Sequence, residues 1–160
     1  MPFIFGGPLF YAAIFMPGRK MQLDPDNKIV KLCARGMEME GLGKPEEARR
    51  LFLQAWNEAP DEFYRFIAAH YVARHTATVE EKLKWDEIAL NTALTIDDDD
   101  ARACYPSLYL NVGKCYEDLR DFDNARKHYQ LALSYADHLQ NDGYGNMIKS
   151  GIKNGIDRLK

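Results

Sequence analysis

The chain has 160 residues, of which 46% are hydrophobic and 28% charged, and its formal net charge is −3. That is long enough for one domain with a core of its own, and no low-complexity tract argues for disorder. Lys and Arg are scattered among acids with no basic cluster interleaved with aromatics, which excludes the electrostatic footprint of a nucleic-acid binder.

Residues 2–16 are almost wholly apolar, with Phe3, Ile4, Phe5, Leu9, Phe10, Tyr11, Ile14 and Phe15 interrupted by Gly6-Gly7-Pro8 and closed by Pro17-Gly18-Arg19-Lys20. The run is shorter than the ~20 residues of a membrane span and lacks the preceding basic residue of a secretory signal. Met21 followed by Gln22-Leu23-Asp24-Pro25 makes a natural start, with Asp24 placed to cap the first helix. Residues 1–23 therefore read as an extension from an upstream start codon that contributes no function. A weak membrane-tethering or partner-docking segment is the alternative.

From residue 24 onward the pattern is helical. Ile29–Pro60 reads as a helical hairpin turned by Gly43-Lys44-Pro45, with Pro45 suited to the first turn of the second helix because its missing N–H costs nothing there. Phe63–Arg74 and Lys82–Ile96 read as two further helices, joined by a connection that starts at His75-Thr76-Ala77-Thr78-Val79. The run Asp97-Asp98-Asp99-Asp100 reads as an acidic loop capping the next helix. Pro106–Asp137 forms another hairpin, turned by Arg120-Asp121-Phe122. Beyond the break at Gly143 and Gly145, Ile148, Ile152, Ile156 and Leu159 make one stripe of an amphipathic helix. Lysines and Asp157 hold its other faces, so it reads as a solvating cap; a membrane-surface helix would need aromatic anchors and a denser basic face.

The first and last hairpins are the same unit written twice. A shift of 77 positions (36 + 77 = 113) lays Gly36 on Gly113, Glu40 on Glu117, Leu42 on Leu119, Ala48 on Ala125, Arg49 on Arg126, Ala55 on Ala132 and Ala59 on Ala136, with Phe52 on Tyr129. Small residues at shared positions let two helices approach closely. Leu32, Met39 and Phe52 in one unit, and Tyr109, Tyr116 and Tyr129 in the other, fill the space that remains. Units this short depend on stacked neighbours for a core.

These residues resemble the tetratricopeptide repeat (TPR), whose 34-residue unit carries large apolar or aromatic residues at positions four, eleven and twenty-four and small ones at eight, twenty and twenty-seven. Pro106–Leu139 fits at Tyr109, Gly113, Tyr116, Ala125, Tyr129 and Ala132, and Ile29–Glu62 at Gly36, Ala48, Phe52, Ala55 and Pro60. The middle segment fits at Tyr64, Ala68 and Tyr71, but its connection is about six residues too long for the unit. It also has Asp86 where the pattern has alanine, so it is expected to be an irregular repeat with a longer turn. The resemblance implies an all-α, right-handed α-solenoid of about three TPR-like hairpins, at about 29–62, 63–97 and 106–139. A C-terminal capping helix would follow at about 145–159, within a domain of residues 24–160.

Signatures of catalysis and metal binding are missing. The aspartate run fails as a calcium loop because Arg102 stands at the loop glycine and Leu108 at the bidentate glutamate. His70 and His75 point apart on a helix, and His128 and His138 lack a carboxylate pattern. No nucleotide-loop or hydrolase motif occurs. Cys33, Cys104 and Cys115 lack CxxC spacing and read as buried, reduced cysteines of a cytoplasmic protein. No cofactor, metal or enzymatic activity is expected.

What remains is binding. In the TPR family the first helix of each hairpin lines a concave groove, and the resemblance carries that role to Ala34 and Met37, to Arg65 and Ala69, and to Asn111, Lys114 and Asp118. Asn111 can pair with a peptide backbone or carboxylate, and Lys114 could add charge. Ala34 and Phe66 occupy the places where a carboxylate clamp of the chaperone-docking type would need further polar groups. The expected function is a non-catalytic protein–protein interaction module that holds a peptide or partner helix. The alternative is a structural, homo-oligomerising repeat protein, such as a homodimer whose groove is filled by its twin or by the N-terminal segment.

Overall fold

The computed structural model describes residues 24–160, so the apolar stretch and the Met21 start lie outside the described residues. Seven α-helices follow in order: α1 (Lys28–Gly41), α2 (Pro45–Glu58), α3 (Glu62–Val72), α4 (Val79–Leu94), α5 (Asp99–Asp118), α6 (Phe122–Ser134) and α7 (Gly143–Arg158). Short 3-10 turns at Ala73–His75 and Ala136–His138 extend α3 and α6. Among the described residues there is no strand, and no helix is long and apolar enough to cross a membrane. Each helix packs on the next, and the first helices also meet directly, α1 on α3 and α5 on α7. The result is an all-α helical repeat.

Capping side chains explain where most helices begin. Asp61, Thr78, Asp98, Asp121 and Asp142 each accept the backbone N–H three residues on, at 2.7 to 3.2 Å, which satisfies a donor the helix itself cannot. For α1 the cap is Asn27, whose Oδ1 accepts from Ile29 at 2.8 Å, and not Asp24 as expected. Asp24 instead accepts from the N–H of Asp26 at 2.9 Å, a local turn ahead of the helix.

The repeat seen in the sequence is carried down to backbone hydrogen bonds. The α1–α2 turn closes through Gly43 N–H to Glu40 at 3.0 Å and Lys44 N–H to Met39 at 2.9 Å. The α5–α6 turn does the same, through Arg120 to Glu117 at 3.0 Å and Asp121 to Tyr116 at 2.9 Å. Both chains pass through the left-handed region, Gly43 at φ 71° and Arg120 at φ 63°. Glycine has no steric penalty there and arginine does.

Packing obeys the same register. Ala48, Ala55, Ala125 and Ala132 are wholly buried, as are Phe52 and Tyr129. A methyl group on Gly36 would stand 2.3 Å from the Phe52 ring, and one on Gly113 would stand 2.8 Å from Tyr129. Bare backbone is what lets each aromatic of the second helix sit against the first. Tyr129 is pressed from its other side by Gly155 of α7, where a Cβ would come within 2.7 Å. Ile148 and Ile152 are fully buried along that face of α7, and Lys153 and Asp157 pair at 2.7 Å on the outside.

Two expectations about the middle of the chain need correction. The extra residues after His75 do not form a long turn, because Thr78 caps α4 at Val79 and most of the added length becomes helix. Similarly, α5 starts well ahead of Pro106. Asp98 caps it, Asp99 and Asp100 favour its positive end, and Pro106 is accepted inside the helix without a break.

Candidate binding groove

The face that first helices would present to a partner comprises Val30, Cys33, Ala34 and Met37 on α1, Phe66 and Ala69 on α3, and Ser107, Leu110 and Asn111 on α5. Most of these are buried, and Ala34 and Met37 are half-buried. Ala69 has no exposed surface, so it packs and does not present itself to a partner, contrary to its expected role. Arg65 is half-buried and already engaged: its guanidinium lies 5.5 Å over the Trp56 ring and pairs with Glu62 at 3.1 Å. Lys114 is held by Asp118 one turn along the same helix, so its charge is answered within the chain.

Asn111 differs from all of these. It is 6% exposed, and its amide makes no hydrogen bond with any described residue. Nearby buried polar groups are satisfied: Ser107 donates to the Cys104 carbonyl at 2.9 Å, and the Cys115 thiol, one turn beyond Asn111, donates to Asp86 at 3.4 Å.

Asp86 is the residue that stands where the outer hairpins have Ala48 and Ala125. It is 1% exposed and pairs with Lys82 one turn earlier. Burial pushes the Asp86 carboxyl above its ordinary range against the pull of Lys82. His70 lies near the same cluster, and burial together with the charges of Arg74 and Lys82 takes its pKa down to about 3, leaving a neutral imidazole. Burial raises the Cys33 and Cys115 thiols to about 12, so neither is a nucleophile at neutral pH.

An ionic latch between successive hairpins escaped the sequence reading. Glu40 at the end of α1 accepts from Arg74 at 3.1 Å and meets His75 Nε2 at 2.5 Å. Glu117, its repeat equivalent, accepts from Arg158 of α7 through two bonds and from the Tyr129 hydroxyl at 2.5 Å. Partial burial would raise the Glu117 carboxyl, but the bonds from Arg158 and Tyr129 outweigh it and hold it below the usual range. The spacing offered a clue, since Arg74 follows Glu40 by one 34-residue unit. Beside the first latch is a cavity of about 420 Å³ lined by Arg49, Arg74, His75, Glu46 and Glu81. Arg49 pairs with Glu81 at 2.8 Å, so charges of both signs cancel there.

Comparison with known families bears on the third hairpin. The family model described as tetratricopeptide repeat matches residues 106–138, which cover most of α5, all of α6 and the 3-10 turn after it. Comparison with curated proteins finds no match.

Proposed function

From a chain that carries a tetratricopeptide repeat at residues 106–138, we propose a non-catalytic module for protein–protein interaction, built as a right-handed solenoid of three such hairpins closed by α7. The partner is a peptide or helix held against the first helices, in contact with Ala34, Met37 and Asn111. Cys33, Cys104 and Cys115 are buried thiols, which suits the reducing cytoplasmic setting in which we place the protein.

The observation that carries this reading is the repeat itself: the hairpin at residues 106–138 matches the tetratricopeptide repeat model, and the α1–α2 hairpin reproduces its turn hydrogen bonds and its glycine-to-aromatic packing. No comparable feature supports chemistry: the thiols are protonated, His70 is neutral and enclosed, and the acids near the groove are tied to cations.

The test is affinity capture from native lysate with the 160-residue chain, set beside an Asn111→Leu variant of equal helicity, with bound proteins identified by mass spectrometry. A partner retained by the parent and lost by the variant supports the groove. Identical partner sets, with a dimer in light scattering, would favour self-association of the repeat instead.

A further inference from the structure

We infer that the first occupant of the groove is the chain's own apolar segment, residues 2–16, so that a partner binds by displacing it. This rests on the groove reading above and adds its regulation: the stretch that reads as an idle extension becomes a built-in competitor.

The first observation is burial on every side of two first helices. Eight consecutive residues of α3, 66–73, and ten of α5, 104–113, are buried. Each run exceeds two helical turns, so neither helix keeps a side open to water there. In a stack of hairpins a first helix has second helices behind it and other first helices beside it, and its remaining side lines the groove. The neighbours here follow that plan: α3 packs on α1, α2 and α4, and α5 packs on α4, α6 and α7. On α3 the Tyr71 ring stacks on Phe52 of α2, while Ala69 and Ala73, two residues to either side, project about 160° away from it. Both are buried as deeply as Tyr71 itself. A groove face closed to this depth calls for an occupant.

The second observation is complementarity and reach. Residues 2–16 contain no charged side chain, and the face they would meet offers Val30, Phe66, Ala69 and Leu110. Left in water, a run with Phe3, Phe5, Leu9, Phe10, Ile14 and Phe15 would expose a contiguous apolar patch of a kind folded monomers rarely carry. Residues 17–23 then lead to α1, the first wall of the groove. Extended, that tether spans about 25 Å. Two helix spacings, about 20 Å, separate α1 from α5, so the segment can cross the groove. Held this close, it acts at about millimolar effective concentration. A modest contact therefore fills the groove, and a specific partner still displaces it.

The test puts the photo-cross-linking residue p-benzoylphenylalanine in place of Phe10 in the full chain, mixes isotope-light and isotope-heavy protein, and maps the links by mass spectrometry. We expect same-chain links to α1, α3 and α5. A second measurement uses the full chain with Phe10→Asp and Ile14→Asp, which empties the groove. A fluorescent peptide of residues 1–20 should bind that variant about tenfold more tightly than the parent, whose groove is already filled. The absence of any same-chain link to a first helix, or equal peptide affinity for variant and parent, would overturn self-occupancy. Links found only between light and heavy chains would overturn it as well and make a second copy the occupant. The groove reading itself stands or falls separately, on the comparison of the parent with Asn111→Leu.

Discussion

Arg158 grips Glu117 with two parallel hydrogen bonds, Nε to Oε1 at 2.8 Å and Nη2 to Oε2 at 2.9 Å. The two residues lie on different helices, so this pair fastens the last helix to the hairpin before it. Tyr129 adds its hydroxyl to the same carboxylate. In the first hairpin Phe52 has no hydroxyl to offer, and His75, stacked on that ring at 5.9 Å, reaches Glu40 in its place.

The latch makes the docking of α7 sensitive to acid. The folded Glu117 carboxyl titrates below its unfolded value, so its contribution is present above the ordinary glutamate range and is lost as pH falls through the folded pKa. The protection of α7 amides, measured against their intrinsic exchange rates at each pH, should therefore fall between about pH 5 and 3. Glu117→Gln should flatten that dependence, and Arg158→Ala should cost about 1 kcal/mol at pH 7, in the range of a half-exposed pair with good geometry. Unchanged protection of α7 across this range would show that apolar packing alone holds it.

Gly36→Ala should destabilise the protein by about 1–3 kcal/mol in urea unfolding, even though alanine is the better helix former. The added methyl meets the Phe52 ring at 2.3 Å, and Phe52 is itself stacked on Tyr71 at 5.0 Å and cannot retreat. Shortening the ring should relieve the clash. A double variant Gly36→Ala, Phe52→Leu should recover part of the loss, and strictly additive costs would mean that the two positions do not touch.

Asp86→Ala restores the small residue of the outer hairpins and should nonetheless cost about 3 kcal/mol, because it leaves the largely buried Lys82 without its counter-charge. Removing both charges with Lys82→Met and Asp86→Ala should return stability to within about 1 kcal/mol of the parent or raise it. Denaturation midpoints of the three proteins decide the matter. Equal losses in the single and double variants would point to the Cys115 contact with Asp86 as the term that counts.

The repeat was legible in the sequence because its core depends on residue size. Gly36, Ala48 and Ala55 recur as Gly113, Ala125 and Ala132 since any larger side chain would force the helices apart, and the structure spends each of them on a close approach. Helix starts in the middle of the chain were less legible. Whether Thr78 caps a helix or sits in a loop depends on whether the following turn finds a tertiary partner, and local spacing does not say.

Roles of groove residues depended on neighbours supplied by the fold. That Arg65 lies over Trp56 follows from how α3 packs on α2, which no spacing within either helix reveals. The Lys114 and Asp118 pair, in contrast, was written in the chain as a four-residue interval on one helix, and it removes Lys114 as a free cation.

The measurement that tests the proposed groove most directly is the thermal midpoint of Asn111→Leu beside its affinity for the partner captured by the parent chain. Asparagine and leucine are close in size. If Asn111 faces a partner, leucine should leave the midpoint near that of the parent while weakening the captured partner about tenfold. A midpoint that falls with affinity unchanged would mean that Asn111 serves the fold, and would contradict the assignment of this face as the binding groove.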